Sequence, residues 1–290
     1  MGHKSKKSLV RQVQETLQSK LSAGDSKHLD KRTNSTGEKI YSYNTFRTYE
    51  KHSCAFAKWA KAEHGCKTLK ECRPYVDEYL QHRASYCSPY TVKLDAAAIG
   101  KTYGESTTNF VHTPSRLRTE VTRSRGEKGM DKHFSEVKNS NLVEFCRATG
   151  LRRSEVKACR GSSLVACTNS PVGLGISVIG KGGKARIAPL YCNKATANLI
   201  TSMCQTAGNG KVFEKVHKAC DVHGYRAEYA ARVYEHNARP LNTLFREEKY
   251  YCRGDKRGCV YDRQALQVTT NALGHNRIDV AASNYLYNVK

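Results

Sequence analysis

Asn271-Ala272-Leu273-Gly274-His275 is the stretch on which the reading of this chain turns, and Tyr285 follows ten residues after His275. Leu273-Gly274-His275 reads as a helix, a sharp end and an imidazole just beyond it, because glycine takes the left-handed conformation that terminates helices. Further toward the N-terminus, His223-Gly224-Tyr225-Arg226 puts an imidazole and a guanidinium one helical turn apart, on the same face. Gly180-Lys181-Gly182 sets a flexible lysine between glycines that let the backbone approach a partner closely. Thr149-Gly150-Leu151-Arg152-Arg153-Ser154-Glu155 sets an arginine pair at a helix boundary, with Glu155 three residues past Arg152. Taken singly, each element has an ordinary reading: surface charge, an accidental His-x-x-Arg, one tyrosine among 17. Taken in order, they are cations able to hold a phosphate and a phenol able to attack it.

Composition points the same way. The 290 residues suffice for two ordinary domains with a real core. Hydrophobic content of 39% and charged content of 26% mark a globular chain. The formal net charge is +23, which favours a polyanionic partner because counterion release rewards phosphate contact. A merely soluble basic protein is the ordinary alternative. Residues 1–114 carry 19 Lys and Arg against 11 Asp and Glu, and the remainder 30 against 15, so both parts can touch one nucleic acid. No apolar run is long enough for a membrane span, and the basic start Met1–Lys7 lacks the apolar run of a signal peptide. None of the 12 cysteines forms a C-x-x-C pair. The spacings Cys66–Cys72 and Cys252–Cys259 suit neither a zinc knuckle nor a redox motif. The cysteines are expected to be reduced apolar fillers in a cytoplasmic protein, and neither metal nor cofactor is expected.

Leu9, Val13, Leu17 and Leu21 recur every four residues and predict a helix. Phe46, Tyr49, Phe56, Ala57 and Ala60, with Trp59 near the end, mark a second, and Leu69 to His82 a third. Ser88-Pro89 caps and opens a fourth that runs through Leu94, Ala98 and Tyr103. Four helices with short connections suggest a small bundle, with Phe46, Phe56 and Trp59 as core. Residues 114–131 are rich in Gly, Ser, Thr and arginine (Arg116, Arg118, Arg123, Arg125) and read as a linker. A basic linker can track a phosphate backbone; a solvated charge run accounts for it equally well. A helix is expected from about Lys132 to Thr149, with Gly150 ending it, and another over residues 153–160. Three β-prone runs follow: Ser163–Cys167, Leu174–Ile179 and Ala185–Leu190. The last two are joined by a Gly-rich hairpin turn. Further helices are expected at Lys194–Gln205, His223–Asn237, Tyr261–Leu273 and Asp279–Leu286. Gly175 to Lys181 matches most of a phosphate-binding P-loop, but Gly182 stands where Ser or Thr must bind Mg²⁺ and a hairpin follows. An NTPase is therefore excluded.

The order and local motifs of Arg152, Lys181, His223, Arg226, His275 and Tyr285 resemble the tyrosine recombinases, or phage integrase family. The resemblance covers most of residues 40–290. It implies a mainly α fold with a small β-sheet: an N-terminal helical core-binding bundle (1–113), a basic linker (114–131) and a tyrosine-recombinase-like catalytic domain (132–290). It implies that Arg152 and Arg226 clamp the scissile phosphate, that Lys181 protonates the departing 5′-hydroxyl, and that His275 donates to a non-bridging oxygen. His223 takes the tyrosine proton or bonds the phosphate. Glu155 orients Arg152 or caps a turn. Tyr285 is the nucleophile, since Ala282-Ser283-Asn284-Tyr285 resembles the family's sequences there better than Leu286-Tyr287 does. Arg153, Lys184 and Arg186 join the four linker arginines as expected DNA contacts.

Such a set can stabilise phosphoryl transfer without metal, through a covalent 3′-phosphotyrosine that conserves the bond energy. No acidic cluster accompanies it, which argues against a two-metal nuclease. The implied activity is site-specific integration or excision of a mobile element. The implied partners are double-stranded DNA, a synaptic homotetramer, and an accessory excision or DNA-bending factor. Within the same chemistry, a type IB topoisomerase is the rival; a DNA-binding regulator without catalysis is the rival outside it. An RNA-binding protein lacks its expected aromatic motif here. Between Arg226 and His275 the chain is longer than in the simplest members. The extra segment, about 239–262, contains Arg246, Lys249, Tyr250, Tyr251, Arg253, Lys256 and Arg257. It reads equally as an inserted DNA-contacting hairpin or a solvated loop.

Overall fold

Ser8, Ser42 and Ser88 each stand just before an apolar run, and each hydroxyl accepts the backbone N–H three residues on, opening α1 (Leu9–Ser19), α3 (Tyr43–His64) and α6 (Pro89–Tyr103). The computed structural model describes residues 7–33, 35–116, 134–180 and 183–286. The chain divides into two units, Met1–Glu120 and Val121–Lys290.

In the first unit α2 (Lys27–Asp30), α4 (Leu69–Cys72) and α5 (Val76–Ala84) complete a helical bundle. Its core gathers Val13, Leu17, Phe56, Ala57, Leu80, Val92 and Ile99, with Phe46 and Trp59 half-buried against it. The helix expected over 69–82 is broken: Arg73–Tyr75 forms a 3-10 turn around Pro74, which has no N–H to continue the α-helix. Among the described residues of the bundle, Asp95 is the buried charge. The Asp95 carboxylate, fully buried, is bonded by His52 Nδ1 and, at 2.9 Å, by Arg83 Nε.

Among the described residues of the second unit the first α-helix is α7 (Ser140–Thr149), after a 3-10 turn at Val137–Asn139; of the helix expected from about Lys132, residues 134–136 are not helical. Then come α8 (Arg153–Ala158) and an antiparallel sheet in the order β1 (Leu164–Ala166), β2 (Leu174–Ile179), β3 (Ala185–Pro189). Next are α9 (Lys194–Ala207) and α10 (Val222–Asn237), a ribbon of β4 (Lys249–Tyr251) and β5 (Val260–Asp262), then α11 (Arg263–Ala272) and α12 (Ile278–Asn284). The helix expected from Tyr261 starts at Arg263, because Val260–Asp262 pairs with β4 and the Asp262 carboxylate caps α11. One apolar cluster joins α7, the sheet and α9 through Phe145, Leu151, Ile176, Leu190 and Ile200. The other packs α10, α11 and α12 through Tyr229, Val233, Leu266, Leu273 and Leu286.

Tyr229 links the two clusters: its hydroxyl donates to the Pro189 carbonyl at 2.7 Å, and its ring lies against Gly150. A Cβ on Gly150 would sit 2.2 Å from that ring, and φ there is +57°, so only glycine closes α7 at this point. The twelve cysteines are free and mostly buried or half-buried. Among the described residues no helix is long and apolar enough to cross a membrane.

Candidate active site

Arg152 is the N-cap of α8, held there by Glu155 at the third helical position. Glu155 Oε2 accepts the Arg152 backbone N–H at 2.8 Å, and Oε1 accepts Arg152 Nη1 at 2.8 Å. This carboxylate is buried and serves a second cation: Arg186 Nη2, from β3, donates to Oε2 at 2.9 Å. Glu155 therefore ties Arg152 to the sheet.

Arg226 lies at the join of the two apolar clusters and is 2% exposed. Its Nη1 donates to the Gly150 carbonyl and its Nη2 to the Leu273 carbonyl, so one guanidinium bridges the end of α7 and the end of α11. Its Nε donates to the Tyr285 hydroxyl at 3.3 Å, and its Nη2 lies 3.4 Å from His275 Nε2. The Tyr285 hydroxyl is 3.4 Å from the same Nε2. Arginine is donor only, so Nε2 can accept from Arg226 only in the tautomer with the ring proton on Nδ1. Burial, then the guanidiniums of Arg226, Arg152 and Arg186, push the His275 imidazole down to about 4, so it is neutral at pH 7. The Tyr285 hydroxyl thus stands between a guanidinium nitrogen of Arg226 and the Nε2 of His275. His223 approaches Tyr285 edge-on, ring centroids 5.2 Å apart.

Three guanidiniums surround one carboxylate here. Burial, opposed by Glu155 and assisted by the neighbouring arginines, lowers the affinity of Arg186 for its proton. Burial does the same to Arg226. The arrangement carries excess positive charge in low dielectric, which an anion would offset.

No protein-family model matches the sequence, and no curated protein matches it. Solved structures do. The chain superimposes over 97% of its length on the XerH site-specific recombinase bound to palindromic difH substrate in a post-cleavage complex. The match covers 91% of that chain, with a TM-score of 0.55 and 13% identity. A pre-cleavage complex of XerH with difH substrate matches over 94% of this chain and 90% of its own, with a TM-score of 0.50 and 14% identity. This is the tyrosine recombinase fold.

Within the recombinase fold, Arg152, Arg226, His275 and Tyr285 come together, with Glu155 and His223 against them. Lys181, Arg118, Arg123, Arg125 and the neighbouring Tyr287 lie outside the described residues. Arg153, expected as a DNA contact, is turned inward: its terminal nitrogens donate to the carbonyls of His217 and Cys220, fastening the loop before α10. Arg186, expected likewise, has a side chain only 10% exposed. Lys184 is exposed and donates to the Asn276 side chain at 2.9 Å. Arg116, in the first unit, is exposed, lies 5.6 Å from the Tyr90 ring and lines a cleft of about 590 Å³ with Lys93 and His112.

The inward place of Arg186 had a signal in the sequence. Side chains alternate along a strand, and Arg186 shares a face with Ala188, opposite Val178 and Ile176, all three buried. Gly274 also has a role beyond ending a helix. A Cβ there would stand 2.2 Å from Arg186 Nε, at φ +66°, so the glycine makes room for the buried arginine.

Proposed function

We propose that the chain is a site-specific DNA recombinase that cuts and rejoins strands through a 3′-phosphotyrosine on Tyr285, integrating or excising a mobile genetic element. The observation that carries this is the convergence of Arg226, His275 and Tyr285, with the Tyr285 hydroxyl 3.3 Å from Arg226 Nε and 3.4 Å from His275 Nε2. The Tyr285 oxygen attacks the phosphorus, the bond to the 5′-oxygen breaks, and Lys181 returns a proton to that oxygen. Arg152 and Arg226 take the charge that builds on the non-bridging oxygens. The sequence reading had His223 take the phenolic proton or bond the phosphate; His275, whose Nε2 lies 3.4 Å from the Tyr285 hydroxyl, is a second base within reach of that proton. Attack by a 5′-hydroxyl from a partner strand reverses the step and completes exchange.

Arg226 is buried beneath Tyr285, so a phosphate reaches it only after the phenol swings aside. In this reading the bundle of residues 1–113 and the linker 114–131, through Arg116, Arg118, Arg123 and Arg125, grip double-stranded DNA together with Lys184 of the domain that follows. Four protomers synapse two sites, and an accessory DNA-bending or excision factor sets direction, in the cytoplasm. Phosphate contacts supply affinity and base contacts the choice of site.

The test is covalent capture. Nicked suicide substrates built from candidate element ends are incubated with wild type, Tyr285→Phe and Tyr287→Phe, then separated on a denaturing gel. Adduct lost only in Tyr285→Phe is expected. Adduct lost only in Tyr287→Phe would move the nucleophile and overturn the geometry given for it. Relaxation of supercoiled DNA lacking any element end would favour a topoisomerase. Tight DNA binding with no adduct on any substrate would favour a regulator.

A further inference from the structure

The segment of about residues 239–262 has no task in the chemistry above, yet it is firmly built. Its ends are pinned together. Arg239 donates from its backbone N–H and Nε to Asp262 Oδ2 (3.1 and 2.8 Å) and from Nη2 to Oδ1 at 2.9 Å. Its Nη1 also reaches Glu248 Oε1 at 2.7 Å. Between those ends β4 pairs with β5, Tyr250 opposite Tyr261.

From the 3-10 turn Gly254–Lys256 the Lys256 ammonium reaches the end of α12, just where Tyr285 follows it. It donates to the carbonyl of Ala282 at 2.7 Å and to that of Leu286 at 2.6 Å. The Tyr261 hydroxyl, buried, donates to the same Leu286 carbonyl at 3.1 Å. These carbonyls lie on either side of Tyr285.

α12 has only seven residues, too few to hold its shape unaided, and its last carbonyls have no partners within the helix. The Lys256 cation at that end satisfies the Ala282 carbonyl and complements the helix dipole. Tyr285 itself has left helical geometry, with φ −131° and ψ −30°, so its direction depends on what holds the chain on each side.

We propose that segment 239–262 is an intramolecular clamp on the Tyr285 helix, with Lys256 and Tyr261 as positioning residues that set the Tyr285 hydroxyl against Arg226 and His275. The clamp fixes the backbone and leaves the phenol free to rotate about its side-chain bonds when a phosphate enters. It rests on the reading of Tyr285 as the nucleophile for its purpose, but not for its existence.

Two measurements on the full chain separate those claims. Amide hydrogen exchange over residues 278–286 is compared in wild type, Lys256→Met, Lys256→Arg and Tyr261→Phe. Single-turnover adduct formation and the DNA dissociation constant are measured on the same proteins. Lys256→Met is expected to speed exchange in that segment at least about tenfold. It should slow adduct formation about 10- to 100-fold at unchanged DNA affinity, as expected for a displaced reacting group. Lys256→Arg, which keeps a cation at the carbonyls, should restore most of both. Unchanged exchange in Lys256→Met overturns the clamp. Faster exchange with an adduct rate equal to or above wild type overturns the positioning role. If wild type forms no adduct, the nucleophile reading fails, and the exchange result alone decides whether the clamp exists.

Discussion

Glu155→Gln removes the one carboxylate at the centre of the guanidinium cluster while keeping its size and an oxygen to accept the Arg152 backbone N–H. The Glu155 side chain is 2% exposed and pairs with Arg152 and Arg186, themselves 27% and 10% exposed. Among the described residues Nε and Nη1 of Arg186 have no hydrogen-bond partner, so its compensation there comes through Nη2 and Glu155. Leaving one member of a buried pair uncompensated costs about 3–5 kcal/mol. Arg152 is more open, and water can take over most of its share, about 1 kcal/mol or less. With glutamine still accepting one bond, the expected loss is about 3–4 kcal/mol. At about 2–4 °C per kcal/mol for a unit of this size, the transition of residues 121–290 should fall by about 10 °C. Differential scanning calorimetry reads this directly, with Arg152→Gln as a control expected to shift far less. Adding Arg186→Met to Glu155→Gln should raise the melting temperature again, because the stranded charge is gone. A fall of under about 2 °C, or a double variant less stable than the single one, would refute the argument that Glu155 neutralises a buried arginine.

Other consequences of the same cluster are open to measurement. Inorganic phosphate or sulfate, compared with chloride at equal ionic strength, should stabilise residues 121–290, by about 2.7 kcal/mol at a hundredfold excess over its Kd; Arg152→Ala should abolish the difference, and no difference in wild type would sink the idea. His275 is held down to about 4, whereas the unfolded imidazole titrates near 6.5. Its contribution is therefore full above about pH 6.5 and is lost as pH falls toward 4. The stability margin of wild type over His275→Gln should shrink across that window, and a constant margin would contradict the depressed value. Gly274→Ala must place a methyl on Arg186 at a positive φ; it should destabilise by more than about 1 kcal/mol and slow adduct formation, and wild-type kinetics in a stable protein would be the opposing result. In the first unit Asp95→Ala strands His52 and Arg83 and should cost about 3–5 kcal/mol, read as a shift of that unit's transition alone.

How much of this was legible in the sequence depended on the range of the interaction involved. The Ser88 cap, the apolar repeat of α1, the end of α7 at Gly150 and the β2–β3 hairpin follow from neighbours a few residues apart, and the expected bounds are close to those found. The errors came where a distant strand or a single proline prevailed. Pro74 divided an otherwise helical run, and pairing with β4 drew Tyr261 out of the helix it was expected to begin. Arg153 and Arg186 were expected as DNA contacts; their guanidiniums are held by carbonyls and a carboxylate from other elements.

The sequence by itself determined the chemical inventory and its order: Arg152 after a helix-ending glycine, His223 and Arg226 on one helical face, His275 after Leu273-Gly274, Tyr285 ten residues on. Caps, turns and periodicity are local physics, written in adjacent side chains. Tertiary structure alone decided which of these groups meet. It put Glu155 between two arginines 34 residues apart, 152 and 186, and laid Tyr285 over Arg226. It also brought Lys256 to the carbonyls on both sides of that tyrosine. Such contacts join residues whose separation along the chain carries no periodic signal. They exist only because burying two apolar clusters fixes where each helix ends, and charged groups left at the join must then find one another or remain uncompensated.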